Sequence, residues 1–144
     1  MNTTYTFEQL KEDVRKEAEA LRAHATKEEV EKLNLESFDP NLPSACIYGQ
    51  MTGSCTTMRA HSLIAKCCSV MVDNEQYNPD SDDAISIVVK RPVSVNYMRK
   101  IRQDDESSTY LKYLSAIEAY ILLPKAKNAN LIAFLRGETE TLEL

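Results

Sequence analysis

The spacing of apolar residues near the start of the chain predicts an amphipathic helix over residues 7 to 25. Thr6 and Gln9 form a capping-box pattern at its beginning. The charged residues between the apolar positions, Asp13 and Glu17 among them, are expected to face solvent. The apolar stripe also offers a surface for a homo-oligomer through 7–25. Its residues recur at steps of three or four: Phe7, Leu10, Val14, Ala18, Leu21 and Ala25.

A second capping box, Thr26 with Glu29, predicts a short helix over 27 to 34. The first two helices would then form a helical N-terminal hairpin within 1–36. Two prolines break regular structure between Phe38 and Pro43 and indicate a linker.

The next helix is predicted over 55 to 71, with Ser54 as its cap. Its apolar residues occur nearly all round, which is typical of a central buried helix. Two β-rich segments, 84–89 and 93–97, predict a small two- or three-stranded sheet.

The last third of the chain mixes strand and helix signals. Residues 109–123 fit one helix, or a strand at 110–114 followed by a helix, and the capping box of Ser115 with Glu118 favours the second arrangement. The predicted elements that follow are a helix over 116–123, a helix over 129–136 capped by Asn128, a left-handed Gly137 and an edge strand over 139–144. The predicted fold class is therefore α+β and α-rich.

Length and composition indicate a single domain over 1–144, with 44–144 as its main body. The net charge of −5 disfavours nonspecific nucleic-acid binding over the whole surface. No apolar run has the roughly 18 residues that span a bilayer. Four cysteines lie close together and no hydrophobic leader precedes them, so we expect free thiols, a cytoplasmic protein and no cofactor.

Cys55 is the candidate nucleophile. Gln50 followed by Gly53–Cys55 resembles the active-site segment of papain-like cysteine proteases, which implies Gln50 as an oxyanion donor. A cysteine at a helix start also has a stabilised thiolate. The chain departs from that family because no histidine follows His61, which leaves only His24 as a base. The alternative is a buried core cysteine.

A zinc site would use Cys46, Cys55, His61 and Cys67, which are ligand types that zinc prefers. The spacing does not fit, because Cys46 and Cys55 lie nine positions apart and His61 and Cys67 six apart. Small hydrophobic core residues explain these cysteines better, and no metal is expected.

A weak anion site is a further candidate where the 49–54 loop meets the third predicted helix. It would use backbone amides, hydroxyl groups and a guanidinium from Gly53, Ser54, Thr56 and Arg59. The segment lacks the lysine of a P-loop, and a tight turn explains the same residues.

A basic run between 84 and 103 contains no acidic residue and could bind a protein partner or a phosphate backbone. Acidic segments flank it on both sides, which favours neutralisation within the fold over nucleic-acid binding. The candidate binding residues are Lys90, Arg91, Tyr97, Arg99, Lys100 and Arg102.

The segments 46–55, 64–68 and 130–144 resemble small proteins encoded by bacteriophages and prophages. The resemblance brings no activity and implies the cytoplasm of an infected bacterium as the setting. Because no catalytic set is assembled, we expect a noncatalytic protein-binding module, such as an inhibitor of a host defence system. The alternatives are a small hydrolase centred on Cys55 and a nucleic-acid-binding protein using the 90–102 run.

Overall fold

The computed structural model describes residues 6–39, 42, 44–68, 70–73, 88–90, 113–123 and 126–144. Helices predominate in this part of the chain, which confirms the α-rich prediction. No helix within these residues has the length and apolar character needed to cross a membrane. The elements, in chain order, are α1 Phe7–His24, α2 Lys27–Glu31, α3 Ile47–Thr52, α4 Met58–Cys67, β1 Val70–Asp73, β2 Val88–Lys90, β3 Tyr113–Ser115, α5 Ala116–Ile121 and α6 Asn128–Leu135.

Helix α1 is the element around which the core is built, because it packs against α4, α5 and α6. Its predicted bounds are confirmed to within one residue. Both halves of the capping box form, with the Gln9 amide donating to Thr6 Oγ1 at 3.2 Å and the Thr6 amide donating to Gln9 Oε1 at 2.9 Å. The apolar stripe is covered inside the protein, so it offers no surface for the proposed homo-oligomer. Its fully buried residues are Leu10, Val14, Ala18 and Leu21.

Helix α2 begins at the predicted residue, with the Thr26 and Glu29 capping box in place, but it ends three residues early, at Glu31. The Asn34 side chain accepts a hydrogen bond from the Glu36 amide at 2.9 Å and starts a 3-10 turn instead. Helix α2 packs against α3, whereas the predicted hairpin paired it with the first helix.

The segment 47–57 contains a helix that the sequence pattern did not predict. Helix α3 is capped by the Cys46 sulfur, which accepts a hydrogen bond from the Gly49 amide at 3.3 Å. It ends at Gly53, whose φ of 95° is a conformation that glycine adopts without a steric penalty.

The predicted central helix over 55–71 is shorter at both ends. Thr57 caps helix α4 by accepting from the Ala60 amide at 3.1 Å, so α4 begins at Met58 and not at Cys55. It ends at Cys67, and residues 70–73 form strand β1. Helix α4 is buried along one side, with Ala60, Leu63 and Ile64 in the core, but Met58 is exposed and α1 holds the central position.

Three short strands pair antiparallel in the order β2-β1-β3. Val70 lies opposite Lys90, and Met71 lies opposite Ser115. Strand β1 comes from the end of a predicted helix, so this sheet is not the one that the sequence indicated. Most of the predicted strand pair, 84–87 and 93–97, lies outside the described residues, and that pairing stays a prediction.

The arrangement of strand β3 and then helix α5 matches the split that Ser115 and Glu118 favoured, and α5 ends two residues before the predicted position. Helix α6 begins at Asn128 itself, so this residue does not cap the helix, and Gly137 is left-handed with φ of 77°. The 139–144 tail is not a strand. It lies along α1, held by hydrogen bonds from Arg15 and Arg22 to tail carbonyl oxygens.

The burial of α4 predicts a large effect of Ile64→Ala, because Ile64 is completely buried in the main core. The lost burial and the remaining cavity should lower the free energy of unfolding by about 2 to 5 kcal/mol, measured by urea denaturation. Met58→Ala, at a residue of the same helix that is 63% exposed, is the control and should change it by less than about 0.5 kcal/mol. Equal effects of the two substitutions would contradict this placement of α4.

Candidate functional site

The candidate nucleophile Cys55 lies in the turn between α3 and α4, two residues before the α4 cap, so it does not stand at a helix start. Its side chain is 0% exposed. The Gln50 amide is already used on both sides, because Oε1 accepts from the Asn34 amide at 2.8 Å and Nε2 donates to the Asn34 and Ala45 carbonyl oxygens. His24 ends α1 and is exposed. A hydrolase site built on these residues would need the turn to open.

The four candidate zinc ligands are not brought together. Cys46 and Cys55 form a small buried cluster, whereas Cys67 belongs to the main core. Within the part of the chain that the structure describes, no group of three or more metal-ligating side chains is arranged to hold an ion. Burial, together with the nearby Glu17 carboxylate, raises the pKa of Cys67 to about 12, which keeps its thiol protonated.

The candidate anion site is occupied by the protein's own groups. Arg59 forms a two-point ion pair with Glu29, with distances of 2.8 Å from Nε to Oε2 and 2.7 Å from Nη2 to Oε1. These hydrogen bonds lower the pKa of Glu29 to about 2. Ser54 and Thr56 bond to each other through their hydroxyl groups at 2.9 Å. The Gly53 amide donates to the Gly49 carbonyl oxygen, so it is not free for a ligand.

The basic run lies almost entirely outside the described residues. Lys90 ends strand β2, and the five other candidate residues of this run fall in 91–102, outside the described part of the chain. Its role in binding stays a prediction.

The sequence analysis missed a buried polar cluster between α1, α3 and the end of α4, consisting of Glu17, Tyr48 and Cys68. The Tyr48 hydroxyl donates to Glu17 Oε2 at 2.5 Å. The Cys68 sulfur lies 3.2 Å from the Tyr48 hydroxyl and 3.4 Å from Glu17 Oε2. We call these three residues the Glu17 cluster.

Two buried carboxyl groups, Glu17 of this cluster and Glu118 of α5, each accept a hydrogen bond from an amide in the first turn of another helix. Glu17 Oε1 accepts from the Ile117 amide of α5 at 2.9 Å. Glu118 Oε2 accepts from the Ile47 amide of α3 at 3.2 Å, while its Oε1 completes the capping box with Ser115. The first amides of a helix have no acceptor within the helix, and the partial positive charge there favours a carboxylate.

Burial raises the pKa of Glu17 to about 7, and the nearby Glu118 carboxylate adds to this effect. The hydrogen bonds from Tyr48 and Ile117 oppose the shift but do not cancel it. Below about pH 7 the Glu17 carboxyl group is therefore protonated, with the Tyr48 hydroxyl and the Cys68 sulfur within hydrogen-bond distance of its Oε2 atom. The cluster can therefore hold a proton inside the fold near neutral pH.

One signal in the sequence did point to this cluster. Glu17 lies three positions after Val14 and four before Leu21, so it stands on the apolar stripe itself, and it is only 2% exposed. Asp13 is buried on the same side of the helix. The prediction that these two acids face solvent was wrong, because it assigned them by residue type and not by position on the helix.

Comparisons of this chain with protein families, with curated proteins and with solved structures found no match. The resemblance to bacteriophage proteins therefore stays a prediction. The function has to be argued from the chemistry and exposure of the residues in this chain.

The raised pKa of Glu17 predicts a loss of stability as the pH rises. The folded protein holds a proton up to about pH 7 that the unfolded chain releases above a pKa of about 4.5, so the free energy of unfolding should fall between these values and stay low above them. In Glu17→Gln this fall should be absent. Between pH 5 and pH 8 the variant should gain up to about 3 kcal/mol relative to the unmodified protein, measured by urea unfolding.

Glu19→Gln is the matched control for this experiment, because Glu19 is an exposed acid on the same helix. It should keep the pH dependence of the unmodified protein. Parallel stability profiles for Glu17→Gln and the unmodified protein would contradict the assignment of the buried proton to Glu17.

The burial of all four cysteines predicts slow alkylation of the folded protein. Iodoacetamide reacts with an exposed thiolate, so labelling followed by mass spectrometry should find the cysteines protected in buffer and modified rapidly in urea. Rapid labelling of Cys55 in the folded protein, with the other three cysteines protected, would instead favour the nucleophile hypothesis.

Proposed function

We propose that this chain is a noncatalytic protein-binding module. The observation that carries the proposal is the complete burial of Cys55, the one nucleophile that the sequence nominated, in a turn where the Gln50 amide is already bonded. A substrate has no access to this thiol in the folded protein. The polar groups of the Glu17 cluster are equally enclosed and serve the fold.

The outer surface of the described helices supports a binding role. Charged residues of both signs cover the exposed side of α1: Glu8, Glu12, Arg15, Lys16 and Glu19. Complementary charges steer the encounter of two proteins and help to select the partner. The basic run with Lys90, Arg91, Tyr97, Arg99, Lys100 and Arg102 is proposed as the main contact, because an aromatic ring among cations is typical of interface residues.

The resemblance to bacteriophage proteins supports a host protein as the partner, such as a component of a defence system, met in the cytoplasm of an infected bacterium. Neither a hydrolase nor a nucleic-acid-binding role has an observation of its own in the described residues to favour it.

The proposal predicts that charge, and not the thiol, determines binding. The full chain would be used to capture a protein from a host lysate, and the purified partner would then be titrated by calorimetry. Reversing Arg99, Lys100 and Arg102 to glutamate should weaken binding by about tenfold or more, because like charges then face the partner. Cys55→Ser should bind like the unmodified protein.

A second triple reversal, at the exposed lysines Lys16, Lys32 and Lys66, makes the same change in net charge elsewhere. It should alter the dissociation constant by less than about threefold. Loss of biological activity in Cys55→Ser, with an unchanged melting temperature, would contradict the noncatalytic proposal. Equal weakening of binding by both triple reversals would contradict the proposal that the basic run is the main contact with the partner.

A further inference from the structure

A cavity of about 280 Å³ lies between the α1–α2 junction and the C-terminal end of α6. Three basic side chains line it, from Arg22, Lys27 and Arg136, and none of the described residues that line it is acidic. This is a local excess of positive charge on a chain whose net charge is −5. Its described lining residues include none of the Glu17 cluster.

The three cations differ in how far the protein already neutralises them. Arg22 is paired, because Nη2 lies 3.0 Å from Glu140 Oε1 and Nη1 donates to the Thr139 carbonyl oxygen at 2.9 Å. Lys27 Nζ lies 4.0 Å from Glu31 Oε1, beyond hydrogen-bond distance, and both side chains are exposed. Lys27 is thus largely available to a ligand.

Arg136 has no acidic partner among the described residues. Its Nη2 donates to the Leu33 carbonyl oxygen at 2.9 Å, and this bond fixes the guanidinium while leaving its charge uncompensated. Its buried Nε has no hydrogen-bond acceptor within the described part of the chain. An arginine held by a backbone carbonyl is preorganised to bind an oxyanion through its remaining donors.

The charge and the lining residues of the cavity indicate which class of ligand it can bind. With Arg22 paired, Lys27 and Arg136 leave about two positive charges, which matches the charge of about −1.5 to −2 on a phosphate monoester at neutral pH. Val30 and Leu135 add apolar wall to the same cavity. We propose that this cavity binds a phosphate monoester, with Arg136 and Lys27 holding the phosphate and the apolar wall covering the attached organic group.

This inference is independent of the proposed protein-binding role and has its own test. The ¹⁵N-labelled full chain would be titrated by NMR with inorganic phosphate, and separately with N-acetyl-phosphoserine amide, at a constant ionic strength of about 0.15 M. The Thr26, Lys27 and Gly137 amides should shift and saturate. Lys27→Gln should weaken binding by about three- to tenfold, as expected for the loss of one charged contact.

Lys32→Gln is the matched control, because it removes the same charge from an exposed lysine at the end of α2 that does not line the cavity. It should change the dissociation constant by less than about twofold. Tighter binding of the phosphoserine compound than of inorganic phosphate would support a monoester ligand, whereas tighter binding of inorganic phosphate would contradict the role assigned to the apolar wall. Shifts that do not saturate, or equal weakening by the two lysine variants, would overturn the proposal.

Discussion

The constraint on which this structure depends is the burial of two carboxyl groups at the starts of two helices. A buried carboxylate costs free energy unless hydrogen bonds replace the water that it loses. Glu17 finds a donor in the Ile117 amide, and Glu118 finds one in the Ile47 amide. Each bond joins a side chain of one helix to the free amides of another. Moving α1, α3 or α5 would leave a buried acid and a helix end without hydrogen-bond partners. These bonds therefore determine how the three helices pack, in addition to stabilising the packing.

Burial also explains why the cysteines, whose thiols are reactive when exposed, have structural roles in this protein. The Cys46 sulfur caps α3, and the Cys68 sulfur belongs to the Glu17 cluster. Burial keeps the Cys67 thiol neutral and makes it a core residue. The four cysteines that lie close together in the sequence are therefore small buried side chains in the fold, divided between two separate clusters. Among the described residues, the exposed functional groups are mainly charged ones, on the helix surfaces and in the cavity lined by Arg22, Lys27 and Arg136.

The protein-binding role and the phosphate-binding cavity are both proposed on the charged groups of the surface, because the polar groups of the interior are enclosed. Arg59 and Arg136 illustrate how tertiary contacts decide which cations are free. Arg59 is neutralised by the two oxygens of Glu29, whereas Arg136 is held by a carbonyl oxygen that leaves its charge intact. Two partly buried arginines thus have different capacities to bind an anion.

The sequence by itself determined the features that depend on neighbours a few residues apart. The capping boxes at Thr6, Thr26 and Ser115 predicted three helix starts correctly, because each box joins residues three positions apart. The sequence analysis placed Glu17 in solvent because of its charge, although its position on the apolar stripe matches the burial that the structure shows. Only the tertiary structure decided which acids and amides meet, since the Ile117–Glu17 and Arg59–Glu29 contacts join residues 100 and 30 positions apart. Such contacts produce no periodic pattern in the sequence, because they form only when packing brings distant segments together.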